Sequence, residues 1–165
     1  MKPAILFVDD ESMILHALRR ALHGFRGNWN MFFANSGMEG LEILAREQVH
    51  IVISDMKMPE MSGLEVLESA RRRQLTCPFI VITAHTTPQH ALESLRAGAA
   101  EYLSKPFNVD ELKFRVRNLH DIVLLHQGDA EAALRSAQQT RQEWQAASRG
   151  KTLVPEFTLI EARVE

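Results

Sequence analysis

The chain has a single cysteine, Cys77, among its 165 residues, so no internal disulfide is open to it. That fits a reducing cytoplasm, with Cys77 as a small packing residue rather than a reactive thiol. Neither sign of charge dominates: 19 basic residues face 21 acidic ones, a net charge of -2. Nothing global therefore points to nucleic acid or to a membrane. Long apolar runs are also lacking. The first, Ala4-Ile5-Leu6-Phe7-Val8, stops at two acids and is too short for a signal-peptide core or a membrane span. The histidines (His16, His23, His50, His85, His90, His120, His126) include no pair at i, i+4 and none beside cysteine, which argues against zinc. No strand-like run is followed by Gly-x-Gly-x-x-Gly or a Walker-type loop, so nucleotide binding by those routes has no support.

What is present is a set of short apolar runs, each ending in a reactive group. Ala4–Val8 leads into Asp9-Asp10, Ile51-Val52-Ile53-Ser54 into Asp55, and Phe79-Ile80-Val81-Ile82 into Thr83. A shorter run, Tyr102-Leu103-Ser104, leads into Lys105-Pro106. Such runs read as buried parallel strands with functional groups at their carboxyl ends, the edge where open α/β sheets bind ligands.

Helical patterns separate the runs. One covers Ser12 to His23, with Ile14, Leu15, Leu18 and Leu22 in phase and Gly24 and Gly27 as stops. After a strand-like Trp29–Ala34, Ser36 and Glu39 form a capping-box pattern for a helix bearing Met38, Leu41, Leu44 and Ala45 on one stripe. A third runs from Gly63 to Gln74 with Leu64, Val66, Leu67 and Ala70 inward. Its basic end, Arg71-Arg72-Arg73, suits the helix carboxyl terminus and solvent. Pro88 to Gly98 makes a fourth, and Asn108 or Asp110 opens a fifth. Five β–α units in succession predict an α/β fold. Its core is a doubly wound five-stranded parallel sheet with right-handed crossovers, followed by a C-terminal helical extension. The expected division is a domain over 1–127 and a helical extension with linker or tail over 128–165, of which 150–165 read as a linker or the beginning of something incomplete.

From Leu112 a four–three spacing continues through Val116, Leu119, Val123, His126, Ala130, Ala133, Ala137, Thr140, Trp144 and Ala147. One reading is a long helix that pairs with a second copy, a homodimer through 112–147. The other is a helix broken at Gly128, which costs about 1 kcal/mol against Ala in a helix. His120-Asp121 sets a histidine beside an acid without the rest of a phosphodonor motif. Residues 128–165 carry five basic and six acidic side chains, which builds no positive face for DNA.

Three carboxylates at one sheet edge repel one another unless a cation is present. Mg²⁺ takes one or two carboxylates together with waters and phosphate oxygens, and a lysine ammonium suits a phosphoryl oxygen or a carboxylate. A carboxylate can also attack phosphorus and become an aspartyl phosphate. A magnesium-dependent phosphoryl site is one chemistry this set supports.

Four separated motifs carry a family resemblance: Val8-Asp9-Asp10-Glu11, Ser54-Asp55-Met56-Lys57-Met58-Pro59-Glu60-Met61-Ser62-Gly63, Ile82-Thr83-Ala84 and Tyr102-Leu103-Ser104-Lys105-Pro106-Phe107. Over residues 3 to 127 the chain resembles the receiver domain of two-component response regulators, a flavodoxin-like fold. The resemblance implies that Asp55 accepts a phosphoryl group from a histidine kinase or phosphotransfer protein. It implies Mg²⁺ held by Asp10, Asp55 and the backbone carbonyl of Lys57, with Asp9 acting through water. It places Lys105 beside Asp55 or its phosphate, on a cis peptide bond to Pro106. Thr83 and Tyr102 become the switch pair, and Lys57 and His85 flank the site. A cytoplasmic switch acting on a downstream effector or output domain follows, with no chemistry beyond its own phosphorylation and dephosphorylation. The alternative is the regulatory N-terminal half of a larger enzyme, with a phosphodiesterase, cyclase or kinase-like output beyond residue 165. A free-standing phosphohydrolase ranks below both, because its Asp-x-Asp motif is absent.

Overall fold

The computed structural model describes residues 2–84 and 87–147. The elements are β1 Ala4–Val8, α1 Ser12–Ala21, β2 Asn30–Ala34, α2 Gly37–Arg46, β3 Ile51–Asp55, α3 Gly63–Arg72, β4 Phe79–Thr83, α4 Pro88–Arg96, β5 Glu101–Ser104, α5 Val109–His126 and α6 Ala130–Ala147. Two compact units meet at Val109–Asp110, the first holding the sheet and α1 to α4, the second α5 and α6.

In the first unit the strands pair in parallel in the order β2-β1-β3-β4-β5, the wound sheet that the alternating runs predict. Every residue of β1, β3 and β4 is buried, which is why these strands read as continuous apolar runs rather than alternating ones. Alternate side chains still go to opposite faces. Leu6, Val8, Val52 and Val81 join Leu41, Leu44, Val66, Leu67 and Ala70 of α2 and α3 in one core cluster. Phe7 and Ile53 instead line a small internal space with Leu15 and Leu18 of α1. Full burial of each such side chain stabilises the fold by about 1.5–3 kcal/mol. The chain leaves β1 toward β2 on one side and returns through β3 on the other. The carboxyl ends of β1 and β3 therefore flank the switch point of the sheet.

The helices depart from the sequence reading in local ways. α1 ends at Ala21, and a 3-10 turn over His23–Phe25 follows, so the helix stops before Gly24 rather than at it. At α2 the Ser36 hydroxyl accepts from Glu39 N at 3.1 Å, but the Glu39 carboxylate accepts from Asn35 N, one residue before the expected position. The α2 stripe also differs: Leu41, Ile43 and Leu44 are buried, whereas Met38 and Ala45 are exposed. At α3 the full reciprocal cap forms between Ser62 and Glu65. Arg71 is not a purely solvated charge. It donates to the carbonyls of Leu75 and Cys77 and lies over the Phe79 ring at 5.5 Å, anchoring the turn into β4.

In the second unit the long-helix expectation gives way to the broken one. α5 and α6 are separated by Gln127–Asp129, with Gly128 at φ +83, a left-handed conformation that a side chain resists. Asp129 caps α6 by accepting from Ala132 N at 3.0 Å. Arg117 of α5 pairs with Glu143 of α6, and Asp121 bonds Ser136, so the two helices run antiparallel as a hairpin. The expected linker or tail from residue 150 and the flanking His85 lie outside the described residues, as does the Trp144 side chain.

Candidate functional site

β1 delivers Asp9 and Asp10, and β3 ends on Asp55 itself. Because these strands are neighbours in register, Val8 beside Ser54, the acids arrive together at one rim. One carboxylate oxygen from each of Asp9, Asp10 and Asp55 lies within 4.8 Å of the others. Asp9 and Asp55 are buried and Asp10 is exposed. Asp9 is oriented by Glu11 N, which donates to its Oδ1 at 2.9 Å, and its own N–H donates to Ala34 O. That fixes the turn from β1 into α1 and aims Oδ2 back across the rim.

Lys105, just past β5, completes the group. Its Nζ stands 3.3 Å from Asp9 Oδ2 and 3.4 Å from Asp55 Oδ1. Its backbone is fixed by Lys105 N, which donates to Thr83 O at 2.8 Å and extends the β4–β5 ladder; the Lys105–Pro106 bond that follows is cis. Burial would lower the ammonium's affinity for its proton, but Asp55 and Asp9 more than offset this and raise it. Asp55 behaves oppositely. Burial over the apolar floor of Phe7, Ile53, Ile82 and Phe107, together with Asp9 and Asp10, outweighs the pull of Lys105 and leaves the Asp55 carboxyl raised to about 6. Three acids with one amine leave an excess of negative charge in a half-dry site. This donor set fits a hard divalent cation such as Mg²⁺, which prefers carboxylate oxygens and retained waters.

The two remaining sequence candidates lie on the adjoining strands. Thr83 is buried at the end of β4, one residue past Ile82, the partner of Asp55. Tyr102 is half-buried and pairs with Val81, while Thr83 pairs with Ser104. The pleat thus sets Thr83 and Tyr102 on the same face of adjacent strands. Lys57 is exposed in the loop after β3.

Two supporting residues carry more than the sequence reading gave them. A Cβ on Gly63 would sit 2.2 Å from the backbone oxygen of Asp55, so only glycine lets α3 start so close to the end of β3. Gly63 N donates to Met56 O at 2.9 Å, closing the loop that carries Lys57. The buried Ser54 hydroxyl donates to Asp55 O at 3.0 Å. The signal for Gly63 was its position one residue past the helix cap Ser62; its steric necessity depends on a contact that no pattern encodes.

Comparison with known proteins agrees with this geometry. The family model described as response regulator receiver domain matches residues 5–117. The response regulator MprA of Mycobacterium leprae is 39% identical over 115 residues, covering 70% of this chain and 50% of that protein. The regulatory protein AtoC of Escherichia coli is 37% identical over 115 residues, 68% of this chain and 24% of that one. The chain thus spans half or less of the length of these curated relatives. Among solved structures, a receiver domain protein from Clostridium thermocellum superposes with a TM-score of 0.68 at 31% identity, covering 74% of this chain and 98% of that one. The receiver domain of an HD domain-containing protein from Pseudomonas fluorescens gives 0.68 at 28%, covering 78% and 99%. With the rim geometry and these matches in agreement, the chain belongs to the response regulator receiver family.

Proposed function

We propose that Asp55 is the phosphoacceptor of a two-component switch, the reading supported above all by one observation: a buried carboxylate held between an ammonium and two further acids. A carboxylate oxygen of Asp55 attacks the phosphorus of a phosphohistidine, forming an acyl phosphate as the phosphorus–nitrogen bond breaks and the imidazole departs. Bound Mg²⁺ supplies charge neutralisation for the phosphoryl oxygens. Asp10, Asp55 and the Lys57 carbonyl would hold it, with Asp9 acting through water. Lys105 offers a second positive charge to the new phosphate. The Thr83 hydroxyl then moves toward the phosphoryl group and the Tyr102 ring turns inward, so that modification favours one of two conformations.

On this reading the donor is a histidine kinase or phosphotransfer protein in the cytoplasm. The recipient is an effector or output domain, and a second copy of the chain associates through residues 112–147. The receiver is proposed to run to about residue 127, with 128–165 as extension. No described helix is long and apolar enough to cross a membrane. The test uses Mg²⁺ with acetyl phosphate as the phosphodonor. The parent protein should gain one phosphoryl group by intact mass, and Asp55→Asn should gain none. Equal labelling of the mutant would end the assignment.

A second reading has its own support: the relatives are two to four times longer than the matched stretch, and one structural neighbour belongs to an HD domain-containing protein. The switch would then control an enzymatic output, phosphodiesterase, cyclase or kinase-like, beyond residue 165. Reading the frame past Glu165 in the source genome decides this.

A further inference from the structure

The four–three stripe of residues 112 to 147 keeps one phase straight through the turn that breaks it. A continuous helix would therefore carry an unbroken seam. In the hairpin, Leu112, Val116 and Leu119 of α5 and Ala133, Ala137 and Thr140 of α6 are buried, while His126 and Ala130 at the turn are exposed. The described cross-links, Arg117 with Glu143 and Asp121 with Ser136, are both centred on the turn. The same pairings would therefore form between two straightened helices lying antiparallel about that point. The clasp also has a defect: Asp121 is 1% exposed, and its Oδ1 has no hydrogen-bond partner.

We propose that α6 is an exchangeable arm. The turn at Gln127–Asp129 straightens, and α6 of one copy takes on the partner's α5 the place it holds on its own, giving a swapped dimer. Exchange preserves every contact within the hairpin and changes only the hinge. The resulting seam also covers the stripe at His126 and Ala130. The proposal specifies the self-association suggested above for 112–147, and it is independent of phosphoryl chemistry.

Gly128 is the lever. A Cβ there meets nothing within 4 Å, so alanine fits sterically, and only the φ of +83 resists it. Because a left-handed alanine is disfavoured and a helical one favoured, Gly128→Ala should tighten dimerisation at least tenfold. Sedimentation analysis over a concentration series, without metal or phosphodonor, reads this directly. A four-residue Gly-Ser insertion after Gly128 relaxes the hinge and should keep the chain monomeric.

The decisive pair is Arg117→Glu and Glu143→Arg, each checked for helix content by circular dichroism. Each alone sets like charges together, in the closed hairpin and in its own swapped dimer. Mixed in equal amounts, they restore both pairs only by exchange and should form a one-to-one heterodimer. If Gly128→Ala dimerises but the mixture forms no heterodimer, exchange is wrong and plain self-association survives. If the insertion variant dimerises as tightly as Gly128→Ala, the hinge argument fails. If every species stays monomeric, both readings fall.

Discussion

The Lys105 ammonium lies 3.4 Å from Asp55 Oδ1, yet the Asp55 carboxyl still titrates at about 6 rather than near its ordinary 3.8. Burial and the two neighbouring acids outweigh one lysine. A raised folded-state value means that Asp55 contributes stability below pH 3.8 that is lost as pH climbs through about 6. At pH 7.5 without metal, Asp55→Asn should therefore stabilise the fold, by up to about 3 kcal/mol, a figure that already contains the opposing Lys105 contact. Urea denaturation in a chelator at pH 7.5 and at pH 4 checks the sign, since the gain should vanish at the lower pH. Added Mg²⁺ should stabilise the parent and leave Asp55→Asn nearly unmoved.

Lys105 contacts Asp9 and Asp55, so under the proposed function it would compete with a divalent ion there. Lys105→Ala should thus bind Mg²⁺ more tightly, by about tenfold, since one unit charge at this range is worth a few kcal/mol before screening. The same variant should accept phosphoryl groups more slowly, having lost the charge that meets the phosphate. Calorimetric titration with Mg²⁺ reads the first effect and acetyl phosphate labelling the second. Weaker metal binding in the variant would show that Lys105 orients the acids instead of competing at them.

Much of this site was legible in the sequence because its chemistry sits at strand ends, and strands buried on both faces announce themselves as apolar runs. Asp9, Asp10, Asp55, Thr83 and Lys105 each follow such a run, and each stands where that rule puts it. The rest depends on contacts distant in sequence or on competing local bonds. Met38 fits the α2 stripe by spacing yet is exposed, because Ile43 takes the inward place beside Leu41 and Leu44. Arg71 reads as a solvated charge, but the carbonyls of the turn into β4 recruit it. The Ser62–Glu65 cap has the Ser-x-x-Glu spacing of a capping box, but it directly follows Pro59, Glu60 and Met61 of the loop after β3, whose composition favours turns over a helix start. The stripe at 112–147 is the instructive case, since period alone does not distinguish a straight helix from one folded at Gly128.

Gly63 is the steric weak point of the rim. An added Cβ would meet the Asp55 backbone oxygen at 2.2 Å and the Ser54 hydroxyl at 3.0 Å, and neither is the free end of a flexible chain. Gly63→Ala must push α3 away from β3, at a cost of about 1–3 kcal/mol. Because the shift moves the loop bearing Lys57, Mg²⁺ binding should weaken together with stability. Thermal denaturation with and without Mg²⁺ separates the two: the metal-induced rise in Tm should shrink in the variant. An unchanged rise would mean that the loop and the metal ligands are not coupled.

At the opposite rim, His50 ties the start of the sheet together. Its backbone N donates to Ala4 O at 2.8 Å, and its ring Nδ1 accepts from Ala4 N at 2.9 Å. Acceptance requires an unprotonated Nδ1, and burial lowers the ring's pKa from the ordinary 6.5 in the same direction. A lowered folded-state value means the contribution is whole above pH 6.5 and is lost as pH falls toward the folded value. Once the ring is charged, two donors face each other at the β1–β3 edge and the pair must open. His50→Asn can keep an acceptor near Ala4 N without titrating. Its stability should therefore vary less between pH 7.5 and pH 5 than that of the parent, once the separate titration of Asp55 is removed by comparing both in an Asp55→Asn background. Equal pH slopes for His50→Asn and His50 in that one background would mean that the histidine ring does not set the low-pH limit of the sheet.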